Sequence, residues 1–373
     1  MFQGGNCVMA KKTRLYDRHV ALGGRMIEFA GWILPVQYPT GPKAEHHRVR
    51  EAAGLFDIDH MGQVIVSGPD ALPFVQHVMT ADVSAIPLHA AGYSLLCYAD
   101  GTVVDDTFIY HLPDCYFVAI NASNNRKDTR WLEAHVGGYD VRIENVSDGI
   151  YMLALQGPRA AEILAPLCAA PLDAMAYHTM VETTVKGVPT RLGRTGYTGE
   201  DGFELFFPAN RAGAVWDALM AAGQPLGMLP IGLAARDSLR FEPCLPLYGQ
   251  EISASISPLE AGLAWAVSYD KGDFIGRDAL LKVRLEGPTR RLVAFEMVDR
   301  GVPRHEYVVM ADGAVIGTVT SGMYAPTVDK FVGLALVDAK YSAIGASLGI
   351  VIRGETRAAR VVEKPFYVPS YRR

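Results

Sequence analysis

Gln63-Val64-Ile65-Val66-Ser67-Gly68-Pro69, followed by Ala71, Leu72, Phe74 and Val75, has a counterpart later in the chain. There Tyr151-Met152-Leu153-Ala154-Leu155 runs into Gly157-Pro158, then Ala160, Ala161, Ile163 and Leu164. Each is an apolar, strand-like run, a Gly-Pro punctuation, and apolar residues at helical spacing. This change of period predicts strand, turn, helix, with proline in the first helical turn, where its missing N–H costs nothing. The two segments stand about 90 residues apart, as two related α+β units would. Coincidence is the other reading, because strand-turn-helix units are common.

Working outward, Val103-Val104 opens an apolar run that Asp105-Asp106 interrupts and Phe108-Ile109-Tyr110 resumes. Tyr116 to Ile120 reads as its antiparallel neighbour across His111-Leu112-Pro113-Asp114. Lys127–Glu133 and Ala214–Met220 look helical. From about Arg290 the pattern becomes short strands and turns, with a hairpin across Ala311-Asp312-Gly313. A boundary is expected near Gly287-Pro288, and no long linker interrupts the chain.

The chain has 373 residues, half of them hydrophobic and 20% charged, which suits a globular protein of two or three domains. A net charge of −5 argues against a nucleic-acid partner. No apolar stretch is long enough to span a membrane. The N-terminal segment lacks the apolar core of a secretory signal, so a cytoplasmic location is expected, with Met9 a second candidate start. Cys7, Cys97, Cys115, Cys168 and Cys244 are odd in number and widely spaced, which fits neither a disulfide framework nor a zinc site. Cys97 and Cys115 read as small buried hydrophobes. The histidines show no ligand spacing, so no metal is expected.

Three segments carry candidate chemistry. In Asp105-Asp106, strand alternation sends the two side chains to opposite faces. A carboxylate in a low-dielectric pocket has a raised pKa and suits proton exchange with an amine; a strand-end aspartate capping backbone groups explains the pair equally well. Arg194-Thr195-Gly196-Tyr197-Thr198-Gly199-Glu200-Asp201-Gly202-Phe203-Glu204 mixes glycine, aromatic and charge without the pattern of a phosphate loop. Its Glu204 sits in an apolar strand, where it suits an amidine-like ring edge offering two N–H groups. A Gly-rich hairpin with solvated acids is the plainer reading. In Gly232 to Arg240, a helix start, Arg236 and Arg240 share a face. Arg236 suits a substrate carboxylate or Glu204; the alternative is an exposed helix whose partners are Asp237 and Glu242. No nucleophile signature of a covalent hydrolase occurs.

Taken together, these segments resemble the T-protein (aminomethyltransferase) family of the glycine cleavage system. The resemblance rests on strings spread along the chain: Leu15-Tyr16-Asp17-Arg18-His19 through Phe29-Ala30-Gly31-Trp32, Gly54-Leu55-Phe56-Asp57, His60-Met61-Gly62, Val104-Asp105-Asp106, Leu155-Gln156-Gly157-Pro158 and Arg194 to Glu204. It continues through Ala235-Arg236-Asp237, Pro246-Leu247-Tyr248-Gly249, Pro258 to Leu263, Phe274-Ile275-Gly276-Arg277 and Thr320-Ser321-Gly322. It implies an α+β fold with three domains in a ring around a folate pocket. Residues 1–56 and 150–255 would form the first α+β domain, 57–149 and 256–286 the second, and 287–373 a C-terminal β domain of barrel or jelly-roll type.

The implied activity moves the methylene carbon of an aminomethyl group, carried on a lipoylated H-protein, to tetrahydrofolate as co-substrate. The products are 5,10-methylenetetrahydrofolate and ammonia. By the same resemblance Asp106 is the catalytic proton acceptor, and Glu204 accepts the pterin N–H groups. Tyr93, Tyr110 and Tyr197 pack on the folate rings, Asn121 and Met61 form pocket wall, Arg236 holds the polar edge or Glu204, and Tyr371 and Arg372 close the pocket. Asp105 is left a supporting role. Asp59 and Thr107 depart from the family pattern, which usually has serine and an aliphatic residue there. The alternatives are a related folate-dependent demethylase and a non-catalytic folate-binding iron–sulfur assembly factor. The latter resembles this fold but carries Lys-Gly-Cys just before its Gly-Gln-Glu. Here Gly249-Gln250-Glu251 follows Pro246-Leu247-Tyr248, and Cys244 falls too early.

Overall fold

A computed structural model describes residues 10–368. Cys7, Met9, Tyr371 and Arg372, all singled out above, lie outside the described residues. Two sheets and a barrel organise the chain, with a small three-stranded sheet near the start.

A six-stranded sheet has the spatial order Met180–Val185, Val188–Gly193, Gly202–Pro208, Ile150–Gln156, Gly54–Asp57, Leu229–Pro230. A five-stranded antiparallel sheet has the order Ala91–Cys97, Val103–Leu112, Cys115–Ile120, Gly62–Ser67, Arg142–Asn145. The predicted pairing of the Asp105-Asp106 strand is present, with Leu112 opposite Cys115.

The echo in sequence is an echo in structure. Ser67 leads through Gly68-Pro69 to helix Ala71–Val78, and Gln156 through Gly157-Pro158 to helix Ala160–Leu164. Both glycines have positive φ, +118° and +130°, a region that side-chain-bearing residues rarely adopt. A Cβ at either would lie 2.5 Å from a carbonyl oxygen, that of Asp140 or of Ala52, so both turns require glycine. The prolines sit just ahead of the helices instead of inside them. The capping residues are Asp70 and Arg159, because Gly68 and Gly157 carbonyls accept from the Ala71 and Ala160 N–H groups and close a turn first.

Strand alternation decides what each sheet covers. Leu153 and Leu155 point into a core shared with Trp216 and Leu219 of helix Ala212–Gly223, while Met152 and Ala154 point the other way. Likewise Val64, Val66 and Val118 pack on Phe74 and Val75, while Ile65 and Phe117 face opposite. The two outward sets meet in one layer, where the rings of Phe117 and Phe206 stand 5.1 Å apart. The central strands of each sheet are therefore roofed by helices on one face and by the other sheet on the second, while edge strands such as Met180–Val185 keep exposed residues, Glu182 and Thr184 among them.

The C-terminal part is a closed barrel of six strands, Arg290–Met297, Lys330–Asp338, Ala314–Ala325, Val308–Ala311, Ser347–Ile352 and Glu355–Val362. Its predicted hairpin turns at Asp312 and Gly313, both with positive φ, as a two-residue turn between twisted strands demands. Helix Leu233–Phe241 joins the barrel to the sheets. Its Arg240 is fully buried and donates to Glu251 (2.9 Å) and to Ser321 Oγ (3.0 Å) of the barrel. Thr320 also donates to Glu251. The exposed-helix reading of this segment is thus overturned in its exposure and in Glu242, while Asp237 is a partner as that reading has it, accepting from Arg240 Nε at 2.8 Å; the loop 245–251 supplies the other acceptors that a buried arginine needs. Glu242 pairs instead with Arg50 and His46.

Cys97 is buried as expected, but Cys115 is only half-buried, since it begins its strand beside the turn. Cys97, Cys115, Cys168 and Cys244 are free. Among the described residues no helix is long and apolar enough to cross a membrane.

Candidate active site

Where the layer between the sheets ends, it opens into a cavity of about 230 Å³. That is room for an organic ring system, far more than one water needs. Seven of the residues proposed from sequence line it: Met61, Tyr93, Asp106, Asn121, Tyr197, Glu204 and Arg236.

Asp106 stands in Val103–Leu112 with its side chain toward the cavity, while Asp105, on the other face of the strand, is fully buried. Asn121 follows the neighbouring strand. Its Nδ2 donates to Asp106 Oδ1 (2.7 Å) and to Asp105 Oδ1 (3.0 Å). Burial pushes the Asp106 carboxyl up to about 7, and the negative charge of Asp105 adds to the rise; Asn121 and Tyr93 offset part of it. A carboxyl poised there exchanges protons near neutrality.

Glu204 belongs to strand Gly202–Pro208, opposite Gly193. Burial pushes it up to about 7 as well, with Arg236 acting against the rise. Arg236 enters from helix Leu233–Phe241 and lies 4.9 Å from the Tyr197 ring centre. The Tyr197 hydroxyl donates to Pro246 O, which fixes the ring.

The loop carrying Tyr197 is clamped from below. Gln156 Nε2 donates to Thr195 O (2.9 Å), and Thr198 Oγ1 donates to Gln156 Oε1 (2.9 Å). Arg194 and Asp201 pair through two hydrogen bonds across the loop's base, at 3.0 and 2.6 Å. The segment is a built wall and not a solvated hairpin: Thr195, Thr198 and Glu200 are all buried.

Tyr110 does not line the cavity. It shares the face of Asp106 and Phe108, but it lies past the point where the sheets close, packed on Phe117 and Phe206 with its hydroxyl toward Glu204. Several lining residues went unread in the sequence: Phe108, Met152, Gln156, Tyr177, His178 and Trp265. Phe108 and Gln156 lay inside strings already singled out, and alternation from Asp106 would have found Phe108. His178 and Trp265 arrive from connecting segments, which carry no periodic signal. Thr107, one of the departures noted above, also reaches the cavity wall.

A cavity walled by aromatic rings, with one carboxyl raised toward neutrality and a second buried acid beside an arginine, has the composition of a site for acid–base chemistry on a ring-bearing ligand. A family model described as the GCVT N-terminal domain matches residues 15–271, and one described as the glycine cleavage T-protein C-terminal barrel domain matches residues 290–367. The chain is 49% identical over 371 residues to the aminomethyltransferase of Symbiobacterium thermophilum, covering 97% of this chain and 99% of that one. It is 48% identical over 358 residues to the aminomethyltransferase of Moorella thermoacetica, covering 96% and 98%. The crystal structure of glycine cleavage system aminomethyltransferase T from Bartonella henselae matches with a TM-score of 0.91 at 33% identity, over 96% of this chain and 99% of that one. The chain belongs to the glycine cleavage T-protein family and is an enzyme of the aminomethyltransferase class. That family is folate-dependent in general. The demethylase and assembly-factor alternatives are not favoured by these matches.

Proposed function

We propose that the cavity binds tetrahydrofolate and that Asp106 manages the proton traffic of methylene transfer from an aminomethyl group on lipoylated H-protein. The observation that carries this reading is Asp106 itself, a carboxyl raised to about 7 and fixed by Asn121 in the wall of a ring-sized cavity. Tetrahydrofolate supplies an amine nucleophile for the one-carbon unit. The ionised Asp106 orients that amine, accepts its proton, and offsets positive charge as ammonia departs.

The rest of the wall suits a folate. Glu204 offers a buried acceptor for the amidine-like pterin edge. The Tyr93 hydroxyl is buried against Asp106 and offsets part of the rise of that carboxyl, which places it beside any ligand that Asp106 touches. Met61, Tyr93 and Tyr197 provide apolar and aromatic surface. Arg236 balances the charge of Glu204. Tyr371 and Arg372 are assigned to closing the cavity, by family resemblance alone. We divide the chain into the three domains given above, since the six-stranded sheet draws on residues 54–57 and 150–230 and the five-stranded sheet on residues 62–145. We assign the enzyme to the cytoplasm, where free thiols such as Cys97 persist.

The test is a reaction of aminomethylated H-protein with tetrahydrofolate, following methylenetetrahydrofolate and ammonia together. Equal yields of both support the reading. Ammonia released without methylenetetrahydrofolate, or no reaction, sinks it.

A further inference from the structure

Behind the cavity wall lies a further buried acid, apart from Asp105, Asp106 and Glu204, to which the family resemblance gives no role. Asp128 sits on helix Asn125–Ala134, on the same buried stripe as Leu132, and is fully buried. Neither of its carboxyl oxygens accepts a regular hydrogen bond, and Asp105 Oδ2 is likewise buried and unpartnered. The two carboxyls face each other within hydrogen-bonding reach.

Two carboxylates are both acceptors, so their contact is repulsive unless a proton lies between them. The surroundings count the same way. Asp105, Asp106 and Asp128 are three acids in one buried patch; Tyr93 and Asn121 are neutral; among the described residues Lys127 is the one cation set against Asp105 and Asp128, with Tyr248 beneath it. Lys127 Nζ lies 3.3 Å from Asp128 Oδ1, but it is drawn away by Val104 O, to which it donates, and by the Tyr248 ring at 4.2 Å. One cation cannot balance three anions in a site that excludes water.

We propose that Asp128 is a positioning residue: as a neutral acid it donates a proton to Asp105, which fixes Asn121 and, through it, Asp106. In this arrangement the Asp105 carboxylate accepts from Asp128 on one oxygen and from Asn121 on the other. The Asn121 amide then cannot turn, because flipping it would bring its oxygen against two carboxylates. Asp106 is held at one rotamer by a chain of hydrogen bonds reaching back to a helix. Burial, followed by Asp105 itself, holds the Asp128 carboxyl far above the usual carboxylate range, which agrees with a retained proton.

This proposal rests on Asp106 as the proton acceptor, and the experiment separates the two. Asp128→Asn keeps a donor of the same shape and the same net charge. It should transfer methylene within about twofold of wild type, with the acid limb of its pH–rate profile unmoved. Asp128→Leu fills the space but removes the donor; kcat should fall on the order of tenfold or more with KM for tetrahydrofolate little changed. Were Asp128 instead a carboxylate paired with Lys127, Asp128→Asn would delete a negative charge near Asp106 and move the acid limb to lower pH; that result overturns the proposal. Full activity in Asp128→Leu overturns it too. Infrared difference spectra of the Asp106→Asn variant provide an arm free of turnover: a protonated-carboxyl stretch present in that variant should vanish in Asp106→Asn/Asp128→Asn. Its absence from the single variant refutes the shared proton even if Asp128→Leu fails to fold and whatever the role of Asp106.

Discussion

One amide nitrogen, Asn121 Nδ2, stands 2.7 Å from Asp106 Oδ1 and 3.0 Å from Asp105 Oδ1. Adjacent residues of a strand point to opposite faces, so their carboxyls are normally independent. Here a side chain from the next strand end reaches around the edge and ties them together. The tie makes the charge of Asp105 a determinant of the chemistry at Asp106.

The first prediction concerns Asp106 directly. Asp106→Asn keeps the size and most hydrogen bonds of the wall but cannot take a proton. Tetrahydrofolate affinity by calorimetry should change little, while transfer from aminomethylated H-protein falls by roughly 10²–10⁴, the usual worth of a general base. Wild-type turnover by this variant would remove Asp106 from the mechanism. The same substitution should stabilise the fold. Asp106 is raised in the folded state from 3.8 to about 7, so the folded form binds the proton more tightly than the unfolded one. Stability is therefore lost as pH climbs from 4 toward 7. Thermal melts should show Asp106→Asn gaining most over wild type above pH 7 and least near pH 4.

A second prediction uses the tie to Asp105. Asp106 must be ionised to accept a proton, so kcat/KM should decline as pH drops through about 7. Asp105→Asn removes the negative charge that helps to raise Asp106. The acid limb should then move to lower pH. Asn121→Ala removes a donor that stabilises the Asp106 anion and should move the limb to higher pH. Limbs that do not move apart in the two variants contradict the assignment of the limb to Asp106.

Much of this arrangement was legible before the fold. The two strand–Gly-Pro–helix segments marked matching turns because a positive φ and a carbonyl at 2.5 Å leave only glycine. An acid inside an apolar strand marked Asp106 and Glu204. Tyr110 was misread because a period of two gives the face of a strand and not where a cavity on that face ends. His178, Trp265 and the clamp by Gln156 depend on which distant segments meet, and no local pattern encodes that. Asp128 did leave a trace: it occupies the apolar position four residues before Leu132, where a solvated acid does not belong.

A third prediction separates binding from chemistry. Glu204 is raised to about 7 by burial, and it accepts two N–H groups at once, one on each oxygen, only when ionised. Tetrahydrofolate affinity should therefore weaken as pH falls below 7, and Glu204→Gln should bind weakly at every pH with its pH dependence flattened. Isothermal titration across the range checks both. An unchanged affinity in Glu204→Gln would mean that the pterin edge lies elsewhere. A loss of kcat at saturating folate, larger than that of Asp106→Asn, would exchange the roles of the two acids.

The last prediction tests whether the Tyr197 wall must be built as it is. Gly196 is not in the left-handed region, so an alanine there meets no backbone strain. The obstacle is one side chain: a Cβ on Gly196 would lie 1.7 Å from Gln156 Oε1 and 2.3 Å from its Cδ. Gln156 cannot step aside without releasing Thr195 O and Thr198 Oγ1, which it binds at 2.9 Å each. Gly196→Ala should therefore displace the loop, cost about 1–3 kcal/mol of stability as overpacking does, and raise KM for tetrahydrofolate because Tyr197 moves. Gln156→Ala alone removes two hydrogen bonds and costs roughly 1–3 kcal/mol. The two losses should not add. With Gln156 gone the alanine at position 196 has room, so the double variant should melt close to Gln156→Ala rather than well below it. Additive losses would mean that the wall is set by the Arg194–Asp201 pair and the Tyr197–Pro246 contact, with Gln156 a bystander.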